Sequence, residues 1–249
     1  MIFRKPSICR IAFSTLLLLV ASFATSQELV PEARNRRLPN LPGYEHDRLH
    51  FGFLIGFNTL DYHIYNTGAR TEENKWVARY AEIEAINPGI NLGIVTDLRI
   101  YNHLNLRALP GVSFGERNLT FRDEFGNKID EKPLRIKSTF IEVPIALKYS
   151  AFRLHNIQPF ILTGVTPRYD LARDKQSHLQ MKSLDLYWDL SGGIDIYMYY
   201  FRLSIELKGS FGLRNIMKEG LSEEYSDRPY QQAIDALKSR IFCINFYFE

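Results

Sequence analysis

The chain has 249 residues, of which 45% are hydrophobic, 24% are charged and 13% are aromatic. This composition excludes a disordered or low-complexity chain, because such chains lack the apolar surface that offsets the entropy of ordering. The formal net charge is only +3, and lysine and arginine form no stripe of the kind that follows nucleic-acid phosphates. We therefore expect a folded protein that does not bind nucleic acid.

The first 26 residues have the pattern of a secretory signal peptide. A basic start with Arg4, Lys5 and Arg10 precedes an uncharged apolar run, and small residues follow, so cleavage is expected after Ala24 or Ser26. The apolar run is shorter than the roughly 20 residues that a spanning helix needs, which favours export over an N-terminal membrane anchor. The rest of the chain contains no long uncharged apolar run, so any membrane span must consist of strands.

Residues 27–48 are polar and contain three prolines, which predicts an extended periplasmic linker. From Leu49 onward, large apolar residues alternate with small or polar ones, and this period of two is typical of β-strands. The fifth segment is more uniformly apolar, so its facing stays open. The predicted strands lie at residues 49–57, 90–97, 104–114, 141–148, 159–166, 184–191, 201–211 and from 242 to the C-terminus.

The connections between these eight strands alternate in length. Long polar connections are expected at residues 61–88, 117–134, 167–182 and 214–239, and short ones near 101, 150–156 and 197–200. Outer-membrane barrels have this asymmetry, with short periplasmic turns at one rim and long extracellular loops at the other. Both termini are then expected in the periplasm.

Alternation alone does not say which face points outward, and a soluble eight-stranded barrel with an apolar cavity has the same period. An eight-stranded lumen is just wide enough to be filled by side chains, so the large apolar face would crowd it. We therefore predict an all-β, eight-stranded antiparallel up-and-down outer-membrane β-barrel over residues 49–249, with the apolar face on lipid. The candidate aromatic residues at the membrane interface are Tyr187, Trp188, Tyr197, Tyr199 and Tyr200.

Charged residues of both signs fall on the predicted lumen face. An ion path or an acid and base pair would use such groups, but a salt-bridge network is the more common arrangement in a narrow barrel. A network of this kind closes the barrel to protein passage. The predicted lumen charges are Asp97, Arg107, Glu142, Lys148, Asp185, Asp189, Arg202, Glu206 and Lys208.

The sequence offers little for catalysis or metal binding. Six histidines are scattered singly, and no serine-nucleophile or phosphate-binding glycine motif is present. Cys9 lies in the predicted signal peptide, so Cys243 is the one thiol left. We predict no catalytic, cofactor-binding or metal-binding residues, no cofactor and no small-molecule substrate, with a barrel enzyme that uses loop residues as the alternative.

The long loops are the expected working surface. In the last loop, Asp227 precedes Tyr230, Ile234 and Leu237 at helical spacing, which predicts a capped short helix that packs on the rim or docks a partner. Arg34, Arg36 and Arg37 in the linker are either solvated or available to an acidic partner.

Five strings of the chain carry a family resemblance: residues 40–56 (NLPGYEHDRLHFGFLIG), 109–118 (LPGVSFGERN), 138–149 (STFIEVPIALKY), 210–215 (SFGLRN) and 239–249 (SRIFCINFYFE). They resemble the PorT family of outer-membrane proteins, a component of the type IX secretion system of Bacteroidota. The resemblance implies a non-enzymatic role in exporting cargo proteins with C-terminal sorting domains, including motility adhesins in gliding relatives. It also implies outer-membrane lipid and other secretion components as partners. The alternative is a ligand-binding or adhesive barrel unrelated to secretion.

Overall fold

A computed structural model describes residues 40–44, 47–68, 79–129, 134–172, 181–217 and 232–249. Within these ranges, no helix is long and apolar enough to cross a membrane. The strands of the described residues are β1 (Leu49–Asn66), β2 (Arg79–Ile86), β3 (Pro88–Tyr101), β4 (Leu104–Ala108), β5 (Gly111–Asp123), β6 (Leu134–Glu142), β7 (Ile145–Ser150), β8 (Ile157–Asp170), β9 (Leu184–Tyr197), β10 (Arg202–Gly212) and β11 (Ile234–Phe248).

Within the described residues, three of the eight strands of the barrel are each interrupted once. The eleven strands named above therefore make up eight barrel strands. β2 continues into β3, β4 into β5 and β6 into β7. Pro110 and Pro144 lie at two of the interruptions, where proline cannot donate a hydrogen bond to the neighbouring strand. The neighbouring backbone bridges the gap, since the Leu109 amide donates to the Pro144 carbonyl at 3.0 Å.

All strand pairs are antiparallel, and the ring closes where β1 pairs with β11. The remaining neighbours follow in chain order around the ring, with β9 joined to both β8 and β10. The connections at 102–103, 151–156 and 198–201 are short turns on the rim where β1 begins and β11 ends, which we call the terminal rim. The opposite rim is the loop rim. The predicted eight-stranded antiparallel barrel is confirmed.

The outer surface carries the large apolar side chains, as predicted. On β1, Phe51, Phe53, Ile55 and Phe57 are exposed, whereas Asn58 is buried. On β8, the segment of uncertain facing, Ile161 points outward and Phe160 inward. Two predicted interface aromatics are wrong: Tyr187 and Tyr197 are only 1% and 2% exposed and lie in the lumen.

Towards the loop rim the polarity of the two faces is exchanged. On β1, Leu60 and Tyr62 are buried inside, while Asp61 and His63 lie outside, although the alternation of inward and outward positions continues unchanged. We call this part the collar; it comprises residues 60–66, 79–86, 116–123, 134–139 and 234–241. The part with the apolar exterior is the membrane section.

The predicted long loops are wrong in extent, because strands continue into each of them. The interval 61–88 contains the end of β1 and all of β2, and β11 begins within the interval 214–239. At this height the outward residues change from apolar to polar, because water rather than lipid surrounds the barrel. Polar outward residues of this kind predict a loop, whereas the structure has strands.

The predicted helix in the last connection is also wrong where it can be checked. Ile234 and Leu237 lie in β11, and both are buried in the collar. Asp227 and Tyr230 fall outside the described residues. The expectation that Ile234 and Leu237 pack on the barrel is confirmed, but they do so as part of a strand.

Candidate functional site in the lumen and collar

A network of six buried charged residues fills the lumen near the terminal rim; we call it the terminal network. An Arg107 nitrogen lies 2.7 Å from Asp97 Oδ2 and also 2.7 Å from Glu249 Oε1. Lys148 Nζ lies 2.6 Å from Asp195 Oδ2. Arg202 contacts Asp97 at 3.3 Å, Asp195 at 3.7 Å, and Glu249. Three cations thus face three carboxylates, which offsets the cost of burying each charge.

Residues 40–44 cover this network from the terminal rim. The Tyr44 ring stacks on His50 at a centroid distance of 4.0 Å, and the Arg202 guanidinium lies 4.7 Å from the Tyr44 ring centroid. Asn40 donates its backbone N–H to Asn156 Oδ1 at 3.0 Å and its side-chain amide to the Tyr197 carbonyl at 3.0 Å. The sequence predicts an extended linker for these residues, but the structure places them in the mouth of the barrel.

An amide and carboxylate ladder follows further into the lumen. Tyr247 donates to Glu206 Oε2 at 2.8 Å, and Asn245 donates to Glu206 Oε1 at 3.4 Å. Asn91 donates to Asn245 at 3.3 Å, and Asn58 donates to Asn91. Within the described part of the chain, no cation lies within ion-pair distance of Glu206. The carboxylate is held by neutral donors alone.

A second ionic network lies closer to the loop rim. Arg168 contacts Glu142, which also accepts a hydrogen bond from Ser113 at 2.8 Å. Lys208 Nζ lies 3.5 Å from Asp189 Oδ2, and Thr166 donates to the same oxygen at 2.5 Å. Arg168 and Lys208 are almost fully buried, so these contacts bridge the lumen away from bulk water.

Arg117 marks the border between the charged lumen and the collar. Its guanidinium lies 4.0 Å from the Tyr62 ring centroid and 5.8 Å from that of Phe140, and it donates to Ser239 Oγ at 2.8 Å. The interior beyond it is an apolar core, which we call the collar core. Its buried residues are Tyr62, Ala81, Leu119, Phe121, Ile136, Met181, Ile216, Met217, Ala233, Ile234 and Leu237.

The outside of the collar carries ion pairs in water. Glu84 accepts hydrogen bonds from Lys128 and Thr120, and these lower the pKa of the Glu84 carboxyl below its ordinary value. Arg122 lies 2.9 Å from Glu82. Such exposed pairs contribute little to stability, so they keep the collar soluble more than they hold it together.

All nine lumen charges predicted from the sequence are buried, and both signs are brought together as expected. Glu142 pairs with a cation, Arg168, whereas no cation of the described residues lies within ion-pair distance of Glu206. The prediction missed Arg117, Arg168 and Asp195. Arg117 and Arg168 lie in intervals that are predicted as loops, where the sequence predicts no inward or outward facing. Among the described residues, no cluster of three His, Cys, Asp or Glu side chains is placed to hold a metal.

The sequence profile of the family described as "Outer membrane protein beta-barrel domain" matches residues 26–218 of this chain. The chain belongs to this family. Its location is therefore the outer membrane, and its apolar exterior contacts lipid, as predicted.

Two solved structures are similar to this chain. Ail, the attachment invasion locus protein of Yersinia pestis, was solved in complex with the heparin analogue sucrose octasulfate; it is 10% identical, with a TM-score of 0.35, and the match covers 81% of this chain and 98% of Ail. OprG from Pseudomonas aeruginosa is 13% identical, with a TM-score of 0.39, and the match covers 81% of this chain and 93% of OprG. No curated protein matches the chain significantly.

Proposed function

We propose that this protein is a non-enzymatic accessory component of the type IX secretion system, needed for export of cargo proteins with C-terminal sorting domains. The sequence support is the resemblance of residues 109–118 and 138–149 to the PorT family. The first string begins just before β5 and runs along it, and the second spans the end of β6 and all of β7 except its last residue. Both therefore belong to the barrel wall rather than to a detachable loop.

The observation that carries the accessory role is the filled lumen. Side chains of Asp97 and Lys148 near the terminal rim, Glu206 in the middle and Leu237 in the collar core are all 0% exposed. The described residues thus occlude the lumen along its length, and a protein chain needs a far wider opening. The barrel then acts beside the conduit, through its rims.

The asymmetry of the two rims supports an orientation with the terminal rim in the periplasm. Turns at this rim are short, and the connections at the loop rim are long. Residues 40–44 lie at the terminal rim, and the basic segment with Arg34, Arg36 and Arg37 precedes them in the sequence. That segment and the loop rim are the two candidate contact surfaces for a secretion partner.

Deletion of the gene tests the proposal directly. We expect extracellular cargo with C-terminal sorting domains to fall strongly, while a protein exported by an unrelated route is secreted normally. Wild-type protein supplied in trans should restore the cargo. Unchanged cargo, with loss of cell attachment or ligand binding instead, would favour the adhesive or ligand-binding alternative.

A loop variant separates the barrel from its contact surface. Replacing residues 214–238 would remove Ile216, Met217, Ile234 and Leu237 from the collar core, so a short Gly/Ser linker should replace only residues 218–231. We expect this variant to insert and to show heat-modifiable migration, because the strands it joins are retained, yet to fail in cargo export. Normal export would exclude this loop and direct attention to the terminal rim.

A further inference from the structure

The lipid-facing wall contains a groove at the height where the membrane section meets the collar. Its volume is about 400 Å³, and it runs across β1, β10 and β11. Phe57, Leu207, Phe242 and Ile244 form its apolar walls, and all four side chains are exposed on the outer surface. Thr59 and Pro88 line it as well.

Gly209 forms the floor of the groove. It is the outward position between Leu207 and Phe211 on β10, and its partners on the two adjacent strands are the large apolar residues Phe242 and Leu190. A Cβ atom at Gly209 would meet the Phe211 ring at 3.4 Å and the Phe242 ring at 3.8 Å, which are ordinary contacts. A side chain would therefore fit at this position, and its absence leaves the depression.

Two cations follow Phe242 at the next outward positions of β11, towards the loop rim. Arg240 is the outward residue after Phe242 on β11, about 6.6 Å further along the strand, and Lys238 is the next. Asp61 lies opposite Arg240 on β1, but no ion pair joins them, and Asp61 Oδ1 instead accepts a hydrogen bond from the Tyr62 backbone at 2.8 Å. In the part of the chain that the structure describes, the Arg240 guanidinium has no carboxylate partner.

We propose that this groove binds a phosphorylated lipid of the outer leaflet, with an acyl chain on Gly209 and a phosphate on Arg240. An apolar slot within the bilayer and a cation at its water-facing end match the two parts of such a lipid. The site is independent of any role in secretion.

The test uses the purified full chain in detergent and native mass spectrometry. The probes are lipid A with its phosphates and the same lipid with the phosphates removed. We expect wild-type protein to bind the phosphorylated form about tenfold more tightly, the effect of about one charge-assisted hydrogen bond. Arg240→Gln should abolish this preference while keeping the binding of the dephosphorylated lipid.

Gly209→Leu fills the groove and should weaken binding of both lipids. Gly209→Val is a smaller replacement that serves if the leucine variant fails to show heat-modifiable migration. Gly192→Leu is the matched control, because Gly192 also faces outward, on β9, and does not line the groove. Lys137→Gln is the control for Arg240→Gln, since Lys137 is an exposed collar cation on β6.

Three results would overturn the proposal. The first is equal binding of the two lipids by wild-type protein. The second is equal loss of binding in Gly209→Leu and Gly192→Leu, or in Arg240→Gln and Lys137→Gln. The third is displacement of bound lipid A by inorganic phosphate at the same concentration, which would show that the acyl chain contributes nothing.

Discussion

The membrane section and the collar are built from the same strands with opposite polarity. In the membrane section Phe57 faces lipid and Asn58 faces the lumen, whereas in the collar Leu60 faces inward and Asp61 faces water. The backbone geometry does not change between them, because inward and outward positions alternate along the whole of β1. The surrounding medium decides the polarity of the outward side chains, apolar against lipid and polar against water. The inward side chains have the opposite polarity.

The two interiors consequently gain stability in different ways. The lumen of the membrane section depends largely on pairing buried charges, and the collar core depends on burial of apolar area. A substitution should therefore have an effect that depends on the section in which it lies. Four experiments test this difference, from the largest expected effect to the smallest.

Removal of a carboxylate from the terminal network should have the largest effect. Asp97 contacts both Arg107 and Arg202, so Asp97→Ala leaves two buried guanidinium groups with fewer partners. We expect a loss of about 3 to 5 kcal/mol in the free energy of unfolding. A urea titration of the protein in lipid vesicles, followed by heat-modifiable migration, measures it. A loss below that of Glu206→Gln would contradict the idea that pairing stabilises the lumen.

A polar substitution in the collar core should come next. Leu237 is 0% exposed, and Leu237→Asn removes its apolar contacts and buries an amide. The expected cost is roughly 2 to 5 kcal/mol. Cys243→Ser, an inward position on the same strand within the membrane section, is the control, and we expect a change below about 1 kcal/mol there. Similar costs in the same urea titration would mean that the two interiors do not differ.

A cation introduced on the outer face should destabilise the membrane section but not the collar. Ile205→Arg places a charge on lipid and should cost about 2 to 4 kcal/mol near the midplane. Ala236→Arg places the same charge on the outside of the collar, where water solvates it, and should be near neutral. Ser204→Thr changes only a lumen side chain and should also be mild. Folding yield into vesicles ranks the three variants, and the reverse ranking would mean that the facing is inverted.

The smallest effect is expected for Glu206→Gln. Glu206 has no cation within ion-pair distance among the described residues, so the substitution strands no charge, and the amide retains an oxygen that can accept from Tyr247. We expect a change of about 1 kcal/mol or less. A loss equal to that of Asp97→Ala would show that Glu206 does balance a distant cation.

The sequence predicted the membrane section well and the collar poorly. The period of two, together with large apolar residues on one face, identified each spanning segment and, for all of them except β8, its outward side. In the collar, outward residues such as Asp61, Glu82 and Lys137 are polar, and no lipid signal marks the strand. The partners of individual charges were not predictable either, because they depend on the stagger of the strands around the ring. Arg168 and Glu142, for example, meet across β8 and β6.

The pairing of β1 with β11 also has a kinetic consequence. This pair joins the two strands that are most distant in sequence around the ring, so its formation carries the largest loop-closure entropy of any pairing. Folding of a barrel dominated by such non-local contacts is slow, and closure is expected as a late step. Until that step, β1 and β11 each expose an unpaired edge to other chains. The time before closure is thus when this protein is most prone to aggregate, and cells that lack help for nascent barrels should lose it by misassembly before any mature barrel unfolds.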